Sequence, residues 1–255
     1  MCLILFAYKF HPQYPLIVAA NRDEYFQRPT RNTHWWPEPP GLLAGKDLQS
    51  GGTWMGATET GRFAAVTNVR EGTPSGGTFY SRGKLPLSYL TDKLSDEEFL
   101  HMLQETKQDY PGYNLLFGSH HQLHYFSNRG EVAVRLQPGI YGLSNAQLDT
   151  PWPKVVAGKK GLEDLLQRRK IAHENIFQLL DNTKTVPDNQ LPDTGIGLEF
   201  ERLLSATCIR GEHYGTRSSS VLLVDNKNTA TLYEKERAPD RGPVKQYSFQ
   251  IQNLS

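Results

Sequence analysis

Cysteine is nearly absent from this chain: Cys2 and Cys208 are the two in 255 residues, too few for a disulfide framework, and a reducing compartment suits such a sequence. Excess charge of one sign is lacking too. Lys and Arg number 28 against 27 Asp and Glu, and they are scattered, so nucleic acid finds neither a basic helix nor an aromatic-basic platform. No apolar run approaches the ~18 residues that span a bilayer. The apolar N-terminal stretch already contains Lys9 and ends at His11-Pro12, unlike a signal peptide. A cytoplasmic protein with no membrane span is expected. Metal and phosphate motifs are missing as well: there is no HExxH or Cys-x-x-Cys-His run, and neither residues 41–46 nor 76–84 have phosphate-loop spacing. His120-His121-x-x-His124 lacks a companion Cys or carboxylate and reads as a solvated hairpin, and Ser218-Ser219-Ser220 lacks a nucleophile elbow.

What is present begins at residue 2. Once Met1 is removed, Cys2 carries a thiol and an α-amine on one residue. The amine, with a reference pKa near ~8, can take the thiol proton, so nucleophile and base come without a separate His. Residues 3–8 form an apolar, strand-length run that would fix this terminus to a sheet. The competing reading is a small buried hydrophobe that opens a strand. A second apolar run, residues 16–20, leads straight into Asn21-Arg22-Asp23-Glu24. Alternation puts Asn21 and Asp23 on one face and Arg22 and Glu24 on the other, and a carboxylate on the face of Cys2 would hold its amine.

The rest reads as strands, a helical middle, and strands again. Residues 27–42 carry Pro29, Pro37, Pro39 and Pro40, which argue against regular structure there, and the pair Trp35-Trp36 either closes over a pocket or packs the loop down. Residues 53–58 and 63–69 form a hairpin through Glu59-Thr60-Gly61, followed by the Gly-rich residues 72–77. Residues 85–90 make a short helix, and Ser95 with Glu98 is a capping box opening a second, stapled by Leu94 and Phe99. Strands follow at 114–117, 123–126 and 132–136, then helices from Pro153 and around residues 172–180, then a strand-rich tail from Ala206. No internal repeat appears, and residues 1–255 read as one domain.

In order along the chain, Met1-Cys2, Ala19-Ala20-Asn21-Arg22-Asp23-Glu24, Gly51-Gly52-Thr53-Trp54-Met55-Gly56, Ala65-Val66-Thr67-Asn68-Val69-Arg70, Tyr141-Gly142-Leu143-Ser144-Asn145 with Thr150-Pro151-Trp152-Pro153-Lys154, and Tyr214-Gly215-Thr216-Arg217 resemble the NRDE family, which includes the transport and Golgi organisation protein 2-like proteins. The resemblance implies an α+β fold, the four-layer αββα sandwich of two mostly antiparallel sheets found in N-terminal-nucleophile (Ntn) hydrolases. It implies a more distant kinship with bile-salt hydrolases and penicillin V acylases, and links to haem trafficking and lipid and acyl-CoA balance.

By that resemblance Cys2 is the nucleophile, Asp23 holds the terminal amine, and Asn68 and Asn145 supply oxyanion donors. As residues, both asparagines also read simply as strand-ending turn formers. Asn21, Arg22, Trp54, Arg70, Trp152 and Arg217 are candidate substrate contacts, the arginines as carboxylate or phosphate anchors or as surface ion pairs. One departure stands out: where bile-salt hydrolases have Arg-Asn-x-Asp, Ala20 occupies the Arg position, and Arg22 lies two residues further on. A Cys2 hydrolase of a non-peptide linear amide or thioester, with no cofactor, is one expectation. A protein that binds haem or an acyl group on the same fold, without turnover, is the other.

Overall fold

The computed structural model describes residues 2–71, 79–130, 133–168, 171–239 and 241–252. In chain order its elements are β1 (Cys2–Tyr8), β2 (Leu16–Tyr25), β3 (Thr30–Trp35), β4 (Leu42–Asp47), β5 (Met55–Thr58), β6 (Phe63–Asn68), α1 (Lys84–Thr91), α2 (Asp96–Glu105), β7 (Tyr113–Gly118), β8 (Leu123–Ser127), β9 (Val134–Arg135) and β10 (Gly139–Leu143). They continue as α3 (Pro153–Leu166), α4 (His173–Leu180), α5 (Leu198–Leu204), β11 (Tyr214–Val224), β12 (Thr229–Glu236) and β13 (Val244–Gln250).

The strand pattern explains the layering. In β1, Ile4, Phe6 and Tyr8 point into a core shared by both sheets, while Leu3, Leu5 and Ala7 pack against α3 and α4. A strand buried on both faces must be apolar throughout, which is why residues 3–8 show no alternation. The second sheet repeats this: Leu116 of β7 faces the shared core, whereas Leu115 and Phe117 meet Leu85 and Tyr89 of α1 and Phe99 and Leu103 of α2. Four layers, αββα, result. One sheet runs β10-β1-β2-β11-β12-β13 and the other β3 through β9 in sequence, with every pairing antiparallel. The chain leaves the first sheet after β2, builds the second as a meander, and returns as β10 beside β1.

Several sequence expectations need correction. Residues 27–42 contain a strand, because Pro29 and the prolines from Pro37 onward bound β3 instead of interrupting it. The tryptophans pack down: Trp36 is buried and donates to Ala44 O at 3.0 Å, and Trp35 meets the Phe249 ring edge-on at 5.2 Å. Residues 206–209 are irregular, not strand, with Cys208 N donating to Asn182 O at 2.8 Å. Helix α5 had no sequence signal. His120 and His124 are buried, not solvated; His124 stacks on Phe117 at 5.2 Å, and burial lowers the His120 pKa. Among the described residues no cluster of ligating side chains could hold a metal, and no helix is long and apolar enough to cross a membrane. The Gly-rich run 72–77 lies outside the described residues. The capping box of α2 forms as read, Ser95 Oγ accepting from Glu98 N and Ser95 N donating back to the Glu98 carboxylate.

Glu234 ties β12 to β3, its buried carboxylate accepting Thr33 N at 2.7 Å and Thr33 Oγ1 at 2.8 Å. Burial raises its pKa, against the smaller opposing pull of the Thr33 bonds. The native state therefore keeps a proton that the unfolded chain has lost, and stability falls as pH rises from the ordinary carboxylate value through the raised one. Glu234→Gln should be most costly in acid and progressively less so toward neutrality, read as the difference in Tm from wild type across a pH series. A difference constant with pH would show that Glu234 does not titrate in the fold.

Candidate active site

Five strand ends meet at one end of the sandwich: the start of β1, the ends of β2, β6 and β10, and the start of β11. The ladders set their order. Leu143 of β10 lies opposite Ile4, so the chain runs on through Ser144 to reach the Cys2 level at Asn145; Cys2 lies opposite Arg22, and Asp23 opposite Thr216. The second sheet is tied in here, with Thr67 Oγ1 donating to Ser144 O at 2.7 Å and Arg70 N to Asn145 O at 2.6 Å.

The register corrects the expected face. It pairs Cys2 with Arg22, placing Asp23 one residue beyond, and it runs without a bulge from Leu16 to Arg22. Arg22 therefore shares a face with Ala20, and its guanidinium lies over the Trp54 ring, 4.0 Å from the centroid. A cation thus reaches the space between the sheets from two residues beyond the position where bile-salt hydrolases place Arg. The irregularity falls instead in β11, between Thr216 and Ser218. That shift drops Arg217 out of the ladder, and its guanidinium donates to the main-chain oxygens of Tyr25 (3.2 Å) and Arg28, pinning the turn after β2.

Asp23 is 1% exposed, and Thr216 Oγ1 donates to its Oδ1 at 2.6 Å while accepting Ile209 N at 2.8 Å. Burial raises the Asp23 pKa; the nearby charges of Lys154 and Arg70 and the Thr216 hydroxyl work against that rise. Lys154 is itself buried in the first turn of α3, its Nζ donating to Leu204 O at 2.9 Å. Asn145 Nδ2 donates to Asn68 O at 2.9 Å, so one asparagine fixes the main chain of the other. Asn21 points toward the helix layer, donating to Leu180 O (3.0 Å) and Thr207 O (2.8 Å). Arg70 and Trp152 meet each other, the guanidinium 4.5 Å from the ring centroid and 2.5 Å from Glu201 Oε2.

A cavity of about 440 Å³ opens over this end, and Arg22, Asp23, Trp54 and Asn68 line it. Asn21, Asn145, Arg70 and Trp152 are not among the residues that line it, and Arg217 serves the neighbouring turn. Sequence reasoning missed Thr216, Lys154, Glu201 and the cavity residue Arg82, whose Nε donates to Gly112 O at 2.8 Å. Thr216 and Lys154 stand inside family-like motifs, which was their only signal. Glu201 lies in the unrecognised α5.

Gly52 sets the wall that carries Trp54. A Cβ there would sit 2.4 Å from the main-chain carbon of Gly83, and Thr53 N donates to Gly83 O at 3.0 Å, so two backbones touch. Gly52→Ala is expected to cost about 1–3 kcal/mol, as overpacking does, measured by chemical denaturation. An unchanged midpoint would mean that this seam has room.

The two antiparallel sheets between helix layers, with polar strand ends gathered around a cavity, define a sandwich of the Ntn-hydrolase type. A solved mutant of the conjugated bile acid hydrolase from Clostridium perfringens superposes with a TM-score of 0.50 at 10% identity, covering 100% of this chain and 94% of that one. The profile of the transport and Golgi organisation 2 family matches residues 1–239, and the chain belongs to that family. It is 34% identical to the transport and Golgi organization protein 2 homolog of Bos taurus over 99% of this chain and 100% of that protein. It is 30% identical to transport and Golgi organization protein 2 of Drosophila melanogaster over 92% of each.

Proposed function

We propose that this protein is a cytoplasmic N-terminal-nucleophile hydrolase that cleaves a non-peptide linear amide or a thioester with Cys2. The observation that carries the reading is that Asp23, buried and held by Thr216, lines one cavity with Asn68 and Arg22, the residue paired with Cys2. With Met1 removed, the α-amine takes the thiol proton and the sulfur attacks the substrate carbonyl. Asn68 donates to the resulting oxyanion, Asn145 positions Asn68, and Asp23 holds the terminal ammonium. The tetrahedral adduct collapses, the C–N or C–S bond breaks, and the proton passes from the ammonium to the leaving group. Water, deprotonated by the same amine, then cleaves the acyl-enzyme thioester.

Intact mass and peptide-resolved thiol labelling of protein from its own host test this. The expected protein lacks Met1 and is alkylated at Cys2 faster than at Cys208, whose thiol burial makes harder to ionise. Retained Met1, or labelling confined to Cys208, sinks the proposal. A haem carrier on this fold would instead bind haem saturably, with a Soret shift, and show no turnover, and an acyl-group carrier would bind its acyl ligand unchanged.

A further inference from the structure

A second cavity, of about 670 Å³, opens behind Thr216, the residue whose hydroxyl meets Asp23. Its volume falls in the range of small-molecule sites. Arg210, Arg237 and Arg241 line it, together with Cys208. Arg237 is committed: its side chain is 10% exposed, pairs with Asp181, and donates through Nε to Ser219 Oγ at 2.8 Å. Asp181, Glu212 and Glu236 line the cavity too, and each has a basic side chain beside it. Asp181 also draws Lys235 at 3.8 Å, Glu236 accepts from Lys245 at 3.1 Å, and Glu212, 87% exposed, leans on His213. Among the described residues, Arg210 and Arg241 are paired with no carboxylate, and both are exposed. Burial lowers the Arg237 pKa, Asp181 raises it, and Arg210 and Arg241 lower it further, so both of these guanidiniums lie near enough to act on Arg237.

Three guanidiniums line one cavity and two of them repel the third, so an anion placed among them lowers that cost. Guanidinium forks match the oxygens of a phosphate in pairs, and a dianion answers two uncompensated cations where a single carboxylate answers one. We propose that this cavity binds a phosphate-bearing small molecule, gripped by Arg210 and Arg241 at the wall with Arg237 behind them.

Pyrophosphate is the probe, titrated calorimetrically into the full-length protein. Saturable 1:1 binding is expected, weakened at least tenfold in the Arg210→Glu/Arg241→Glu double variant, whose circular dichroism should match wild type. Cys208 supplies a second readout from inside the cavity: pyrophosphate should slow its alkylation, resolved from Cys2 by peptide mass, in wild type and not in the double variant. Should the double variant misfold, Arg241→Gln alone should still weaken binding. Absence of saturable binding overturns the proposal, as does binding that the folded variants leave intact or that leaves Cys208 alkylation unchanged.

Discussion

Asn68→Ala should lower turnover of an accepted amide or thioester by about 100-fold or more, the effect of losing one oxyanion donor, with little change in Tm. Asn68 lines the cavity, and the bond that fixes it runs through its main-chain oxygen to Asn145, so removing its amide leaves that bond in place. Asn145→Ala differs: Asn145 is 0% exposed, and its loss frees the Asn68 carbonyl, so activity and stability should fall together. Asp23→Asn acts earlier in the reaction. Asn Oδ1 still accepts the Thr216 hydroxyl, but the charge that holds the terminal amine is gone, so Cys2 alkylation should change along with the rate. Both measurements use one substrate and one thiol probe. If Asn68→Ala and Asp23→Asn keep wild-type turnover and Cys2 reactivity while losing several degrees of Tm, these residues are scaffold and the hydrolase reading falls.

The layers were legible because each depends on local pattern. Residues 3–8 are apolar on both faces, and Ser95 and Glu98 cap α2. Strand β3 was not legible: its TRNTHW sequence has no apolar alternation, and what holds it in the sheet is long-range, the ladder to β4 and the carboxylates of Glu234 and Glu236 received from β12. Helix α5 was hidden for a related reason. It has seven residues, exposed Leu198 and Phe200, and one buried carboxylate whose partner lies 131 positions away in sequence.

The site divides in the same way. Arg22, Asp23, Trp54 and Asn68 stand at strand ends or in the turn before a strand, where alternation and motif give their placement, and all four reach the cavity. Arg70, Trp152 and Arg217 carry equally visible chemistry, but their partners are distant in sequence. Spacing alone does not reveal that a guanidinium is already held by Glu201 or by the carbonyls of Tyr25 and Arg28. Arg22 shows the opposite case. Its displacement from the Arg-Asn-x-Asp pattern looked like a missing charge, and the unbroken β1–β2 ladder returns it to the Ala20 face.

Arg70→Met should destabilise the protein by about 3–5 kcal/mol, because it strands a buried carboxylate. The Arg70 and Glu201 side chains are 3% and 4% exposed, and Glu201 keeps only neutral donors once the guanidinium is gone, Thr194 N at 3.0 Å and its hydroxyl at 2.5 Å. Burial lowers the Arg70 pKa while Glu201 holds it up, so each charge is tolerated through the other. Removing both is therefore milder than removing one: Arg70→Met with Glu201→Gln should recover much of the loss, and a double-mutant cycle by urea denaturation should give a coupling well beyond the ~0.5 kcal/mol scatter of independent sites. The same experiment decides between two roles for Arg70. As a substrate anchor, its replacement would raise KM in a protein of unchanged stability, and Glu201→Gln would rescue nothing. As the buried half of a pair that ties α5 to the segment after β6, its replacement lowers stability first, and any loss of turnover should return with the double variant.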